Sequence, residues 1–406
     1  MIQTSKTFVV GLALLASFSL KANPLYEFIE AKMKENTEVV QAQEALRSSQ
    51  AAADLARARF FPSLSANWKG AKTDSTDGFA NSLTLSGEQT LFGGGSEYTE
   101  IQSVRLALDR ASHDLADTQD RVRANFALKL TRLLVQRERL EVLRKGKRVQ
   151  EGRLTELRRR FRLGQSREPD LLQVEVESSR LERRMADTET TIELFEQQLR
   201  TLLLLSDTEL ASLHQLLNPQ GLRLLIVGLK NRPDYRSASL KLLGKSLAQK
   251  ERSAWLSAAP TLGLYGQKNL VRPSEASNKW EWGLQAKWTF FEGMRTPAQV
   301  ETVKAQRIVA EKQLFAFEHN KQSNLARLQK ESARADLKKE SIDADLKRAE
   351  KALKQQEKDY RLGIVTELEV QQILQSILDL DIEVLEIQET RAQLRLQEFL
   401  GGEEVL

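Results

Sequence analysis

Along most of its length the chain sets one apolar residue against two or three polar ones, at alternating steps of three and four. Between 181 and 202 the apolar places are Leu181, Met185, Ile192, Phe195, Leu199 and Leu202, with Thr188 holding one place in the series. Between 370 and 394 they are Val370, Ile373, Ile377, Leu380, Val384, Ile387 and Leu394, with Arg391 holding one place. Such steps predict helices packed side by side in a left-handed coil. Weaker seams precede each: Ile101, Val104, Leu108, Ala111, Leu115 and Val122, then Ile342, Leu346, Ala349, Leu353 and Tyr360. Ser96–Leu163 has no proline, and Thr296–Leu362 has one only at its start, Pro297. Each predicts a helix of about 67 residues, roughly 100 Å long at 1.5 Å per residue. Two such helices do not fit inside one globular core, so an extended bundle is expected. Narrow seams with polar flanks suit both the wall of a water-filled tube and a solid coiled coil, and periodicity does not separate the two.

Elsewhere the period changes to two. Ser63–Lys72, Asn81–Phe92, Thr261–Asn269 and Lys279–Phe291 read as strands. In the last of them Trp280, Trp282, Leu284, Ala286, Trp288 and Phe290 share one face, and Glu281, Gly283, Gln285, Lys287 and Thr289 share the other. An apolar face with aromatic residues at both ends is what a strand of an outer-membrane barrel needs. Residues 281 to 289 cover roughly 27 Å, or about 20 Å of height at a 40° tilt, which nearly spans an apolar band. Leu83, Leu85, Gly87, Gln89 and Leu91 form a poorer version of the same face. An amphipathic soluble sheet is the alternative. Against a membrane sheet of only four strands stands the fact that lipid leaves no partner for open edges. A barrel therefore requires several chains, each contributing a sector.

The pattern occurs twice. Phe161-Arg162-Leu163-Gly164 followed by Asp170-Leu171 answers to Tyr360-Arg361-Leu362-Gly363 followed by Glu369-Val370, about 199 residues on. Thr90-Leu91-Phe92-Gly93 answers to Thr289-Phe290-Phe291-Glu292, and Phe61-Pro62-Ser63-Leu64 to Ala259-Pro260-Thr261-Leu262. Three landmarks in one order at nearly constant spacing indicate a duplicated unit of helix, two strands, long helix, turn and helix. The expected boundaries are 23–206 for the first repeat, 207–230 for a linker and 231–400 for the second repeat, with a tail at 401–406.

Composition narrows the function. Lys6 followed by an apolar run from Phe8 to Leu20 reads as a secretory signal over 1–22, too short to span a bilayer. The 406 residues contain no Cys, which removes disulfides, thiol chemistry and Cys–metal sites. The three histidines, His113, His214 and His319, are far apart in sequence, so no catalytic or metal constellation is expected and no cofactor. Charged residues make up 29% and aromatics 6%, which suits long solvated helices. The net charge of +5 comes from a near balance of 61 basic and 56 acidic residues, so nucleic acid is not an expected partner. Gly93-Gly94-Gly95 lacks the Lys-Ser/Thr of a phosphate loop and reads as a strand-to-helix turn.

Taken in order, these elements resemble the TolC-like outer-membrane efflux protein family. Asn231-Arg232-Pro233-Asp234-Tyr235 is similar to that family's Arg-Pro-Asp helix start, and Asn36-Thr37-Glu38 to a degraded copy of it. The resemblance implies an outer-membrane protein with a large periplasmic part. It would be a homotrimer whose 12-stranded transmembrane barrel, set in outer-membrane lipid, stands on a 12-helix periplasmic tunnel. It also implies docking on a membrane-fusion adaptor joined to an inner-membrane pump, for efflux or type I secretion without chemistry of its own. Leu163, Gly164, Leu362 and Gly363 would be the periplasmic tip turns that meet the adaptor. Glu369 and Gln372 would stand at the gate positions, Gln372 without the family's charge, and Tyr360 would be linked to Asp170. Val365 stands where the family has an Arg.

Arg158, Arg159, Arg160, Arg162 and Arg167 surround the first tip turn, and Asp359, Glu367 and Glu369 the second. Opposite charges there suggest a network, Arg162 and Arg167 with Asp359 and Glu367, holding the tips shut. The membrane girdle is expected from Trp280, Trp282, Trp288 and Phe290. The alternative reading is a soluble periplasmic coiled-coil scaffold or a family member without channel activity. A scaffold would keep the heptads but has no use for three Trp on one alternating face.

Overall fold

The computed structural model describes residues 24–72, 79–216, 233–271 and 280–400. The expected signal segment, the tail, the strand-connecting loops and most of the linker lie outside them. The helices are α1 (Pro24–Met33), α2 (Thr37–Ala58), α3 (Ser96–Arg162), α4 (Glu168–Leu203), α5 (Asp207–Leu216), α6 (Tyr235–Leu256), α7 (Arg295–Arg361) and α8 (Glu367–Phe399). The strands are β1 (Ser63–Lys72), β2 (Phe79–Phe92), β3 (Thr261–Val271) and β4 (Trp280–Lys287). Both long helices have 67 residues, the length read from their proline-free stretches. The contacts divide the chain into two compact units, each drawn from both halves of the sequence.

One unit comprises the described residues of 41–117 and 234–319. It holds a single antiparallel sheet in the order β1-β2-β3-β4, so the two predicted strand pairs lie side by side through β2 and β3. β4 is shorter than expected. It ends at Lys287, the partner of Thr261, and Trp288 and Phe290 lie beyond it. The reason is at the same end of the ladder: β3 begins just after Pro260, which has no N–H to donate, and among the described residues β4 has no second neighbour to pair 288–291. The two rings pack against each other at 6.4 Å, edge to face. The turn from β2 into α3 uses Gly94 and Gly95 at positive φ, and a Cβ on Gly94 would strike Ala259. α6 starts on Asp234, whose carboxylate accepts from the Ser237 N–H, the capping expected of the Arg-Pro-Asp segment.

The other unit comprises the described residues of 1–40, 118–233 and 320–406. Its core departs from the narrow seams that the heptads predict. Val122, Ala124, Phe126, Ala127, Leu128, Leu130 and Leu133 of α3 are all buried, on nearly every side of that helix. Two short helices add layers to the unit that a seam count does not anticipate. Leu25, Ile29 and Met33 of α1 and Leu210 and Leu213 of α5 are buried, and Lys32 pairs with Glu209 between them at 2.6 Å. Asn36 caps α2 by accepting from the Glu38 and Val39 N–H groups, and its amide donates to the Leu202 carbonyl at 2.7 Å. Arg123 is buried with Asp120 at 2.9 Å and holds Glu30 of α1 through two bonds of 2.6 and 2.9 Å. Burial works to lower the Arg123 pKa, but Glu30, then Tyr26 and Asp120, outweigh it and raise it. Lower in α4 the predicted seam holds, with Leu181, Thr188 and Leu199 buried and Met185 packed with Leu143 and Ile382.

α5 is held to α3 and α4 partly through a neutral histidine. Arg137 Nη2 lies 2.9 Å from His214 Nε2 and 2.9 Å from Glu196. An arginine only donates, so His214 Nε2 accepts and the ring is neutral. Burial first, then Arg137, holds the His214 pKa below its usual 6.5; Glu196 opposes this and Arg200 adds to it. The unfolded chain therefore binds a proton near 6.5 that the folded chain refuses, and stability falls as pH drops through that value. Hydrogen exchange should show the α5 amides losing protection between pH 7.5 and 5.5, and His214→Gln should remove that step; equal pH dependence in both proteins would refute it.

Candidate functional site

Two features carry functional geometry. The first is the face of the sheet. Register places Ala66, Leu85, Lys268 and Trp280 in one cross-strand row, and Leu64, Gly87, Gly266 and Trp282 in the next. Gln89, Leu264 and Leu284 form a third row, with Leu262 and Ala286 beyond. The apolar residues of all four strands thus point one way. Trp282 is 80% exposed, Leu284 75% and Leu64 87%, with Trp68 and Trp280 also open. Lys268 lies over the Trp280 ring at 5.2 Å. The opposite face is polar: Ser65 bonds Ser86, Thr84 bonds Asn269, and Gln267 and Tyr265 bond Glu281. Among the described residues β1 pairs only with β2 and β4 only with β3, leaving both outer edges open. A contiguous apolar face of this kind marks an interaction surface for lipid or protein. No described helix is long and apolar enough to cross a membrane. Of the four residues expected in an aromatic girdle, Trp280 and Trp282 stand on this face. Trp288 and Phe290 follow β4 as exposed side chains.

The second feature is the pair of Leu-Gly turns. Gly164 and Gly363 have φ of +70° and +73°. Gln165 N–H bonds the Arg160 carbonyl and Gly164 N–H bonds that of Phe161; Ile364 and Gly363 repeat this with Asp359 and Tyr360. Both helices therefore end in the same Schellman closure, which a left-handed residue completes. A Cβ at either glycine would enter open space, so substitution costs backbone strain alone. Gly164→Ala and Gly363→Ala should each lower unfolding free energy by about 1 kcal/mol; unchanged urea midpoints would refute the strain. Leu163 and Leu362 are exposed beside them.

The charges around the turns pair differently from the expected network. Glu156 takes Arg159 and Arg160, which pull its pKa down to about 2. Arg158 takes Glu175 at 2.8 Å, and Arg162 donates to the Arg158 carbonyl. Asp359 accepts from Gln355, and Arg167 precedes α4 without a side-chain capping bond. Neither Arg162 nor Arg167 reaches Asp359 or Glu367 among the described residues. Glu367 is instead buried, 2.6 Å from Arg153 of α3. The cause is rotational phase: Arg162 and Arg167 lie at the turn itself, while Glu367 already belongs to α8 and faces α3 two turns back.

Tyr360 likewise has other neighbours than Asp170. Its ring lies under the Arg160 guanidinium at 5.2 Å. Burial first, then the Glu367 carboxylate, raises its pKa, with Arg160 and Arg153 opposing. Asp170 sits in the first turn of α4 with no hydrogen bond to Tyr360 among the described residues. Glu369 and Gln372 are exposed on α8; Glu369 accepts from the Thr366 hydroxyl at 3.4 Å, and Gln372 lines a shallow polar depression with Ser376 and Asp379. Gln150 and Gln371, which the sequence does not single out, bond each other at 2.7 and 3.2 Å in a buried position. Beside them a cavity of about 340 Å³ lies between α3, α4 and α8, floored by Leu181, Leu374 and Leu378. Among the described residues no cluster of His, Asp and Glu suits a metal ion.

Comparison with solved structures places this architecture. Over 93% of the chain it superposes on 96% of the outer membrane protein VceC of Vibrio cholerae, with a TM-score of 0.79 and 17% identity. The CmeC outer membrane channel of Campylobacter jejuni matches 95% of the chain over 87% of its own, at 0.78 and 14% identity. The MtrE outer membrane channel of Neisseria gonorrhoeae, in its open state, matches 94% over 89%, at 0.75 and 16% identity. No protein-family model and no curated protein matches the sequence. The chain has the fold of these outer-membrane channels, in agreement with the resemblance to TolC-like proteins at the level of fold.

Proposed function

We propose that this chain is an outer-membrane channel-tunnel, the passive exit duct of a tripartite efflux or type I secretion system, gated at its periplasmic tip. The observation that carries the reading is the sheet: all four apolar faces point to one side, polar groups line the other, and both edges lack strand partners among the described residues. In lipid such edges must be closed. Three copies placed edge to edge would make a closed 12-stranded barrel with an apolar outside and a polar lumen, above twelve tunnel helices. The fold shared with VceC, CmeC and MtrE supports the same arrangement. Trp280 and Trp282 then meet outer-membrane lipid, with Trp288 and Phe290 beyond the strand end. Leu163, Gly164, Leu362 and Gly363 form the tips that a membrane-fusion adaptor of an inner-membrane pump would grip. Glu369 and Gln372 line the constriction. The duct moves its cargo without catalysis, metal or cofactor.

The test is single-channel recording of the purified protein in planar bilayers, with its mass in detergent measured in parallel. Discrete pores from a trimer are expected. A water-soluble protein that never inserts would reject the barrel and favour a periplasmic scaffold.

A further inference from the structure

We infer that Gln150, Arg153, Glu367 and Gln371 form a clasp between α3 and α8 that sets the closed position of the gate residues, a role the Tyr360–Asp170 link does not fill in this chain. The inference rests on the channel reading above. Glu367 and Gln371 stand one turn apart at the start of α8, and Gln150 and Arg153 nearly one turn apart on α3. Gln150 and Gln371 exchange two amide hydrogen bonds, Gln371 also donates to Glu367 at 3.3 Å, and Arg153 donates to the same carboxylate. Arg153 reaches Glu357 of α7 as well, at 3.7 Å. The clasp therefore gathers the long helix α3, the end of α7 and the start of α8.

Its position gives it leverage. Glu369 follows Glu367 by two residues, about 200° around the helix. The face that the clasp holds is thus opposite the face that carries Glu369. Loosening 367 and 371 from α3 must move Glu369 and Gln372 with them, because all four belong to the first two turns of one helix. The chemistry suits a part that has to release. Its amide hydrogen bonds weaken steeply once distance and angle leave the normal range, and the polar groups they free can bond water instead, which buried apolar side chains cannot do. Only Val370 and Val174 add buried apolar side chains at these first turns of α8 and α4.

Because the chain has no Cys, Gln150→Cys with Gln371→Cys gives a protein with one thiol pair. We would record single-channel conductance of the full chain, of Arg153→Gln, of Glu367→Gln, and of the cysteine pair before and after bridging by a short, reducible thiol crosslinker verified by mass. Arg153→Gln and Glu367→Gln should raise conductance several-fold at unchanged helical content. The bridged pair should conduct less than its reduced form, and reductant should restore it. A merely structural role would lower thermal stability without this reversible change. Wild-type pores with unaltered conductance in both variants, or equal conductance of bridged and reduced pairs, would overturn the clasp alone. Failure of the thiols to bridge would overturn its geometry. A wild type without pores would overturn the channel reading and the clasp together.

Discussion

Leu284→Arg should abolish pore formation while leaving helical content intact. Leu284 lies midway along the apolar face, opposite Leu264, between the rows of Trp282 and Ala286. A lipid-facing Arg near the bilayer midplane costs about 2–4 kcal/mol per copy. In a trimer three copies give roughly 6–12 kcal/mol, enough to shift assembly from complete to negligible. Gln285→Arg, one residue away on the polar face, should conduct normally, because the alternation of a strand turns it toward the lumen. Pore counts per amount of protein, with circular dichroism of the same samples, measure both. Normal pores from Leu284→Arg would remove this face from lipid and place it against protein.

Arg123→Ala should be the most destabilising single change in the helical unit, at about 3–5 kcal/mol. It removes the buried guanidinium that holds half-buried Glu30 through two bonds and buried Asp120 through one. Arg123→Lys keeps the charge but not the fork, so it should recover only part of the loss. Urea unfolding read by helical signal would compare the three proteins. An Arg123→Ala protein within about 1 kcal/mol of wild type would mean that the desolvation cost cancels the pairing.

Local patterns carried much of this fold in legible form. Period two located all four strands, and the Leu-Gly spacing located both helix turns, because each signal is contained within about ten residues. The proline-free stretches gave the long helices their length. The seam count failed where burial is not one-sided. Val122 to Val135 is apolar at positions all around a helix, a signal of full burial, but a search for steps of three and four passes over it. Its neighbours α1 and α5 are ten residues each, too short for periodicity to distinguish them from loops. The clasp was invisible for another reason. Gln150 and Gln371 are 221 residues apart, and polar side chains that bury one another look in sequence like any other solvated pair. Among so many arginines, which one reaches Glu367 depends on the rotational phase of helices some tens of ångströms long, and the count of charges near a turn does not encode that phase. Carrying the Tyr360–Asp170 link across from a resemblance met the same obstacle: both residues are present, but a different carboxylate stands nearer the ring.

The strand order has a cost during synthesis. β1 with β2, and β3 with β4, are hairpins that can form as soon as each is made. The β2–β3 ladder joins Thr84 to Asn269, 185 residues later. Pairing over such a separation is slow, since loop closure precedes any gain from contact. Until it happens, each hairpin presents an apolar face and two bare edges, the form of strand most prone to pair with the wrong chain. A half-made molecule is therefore its own hazard, and its yield in a cell should depend on how long a holding chaperone can keep the first hairpin apart from its copies.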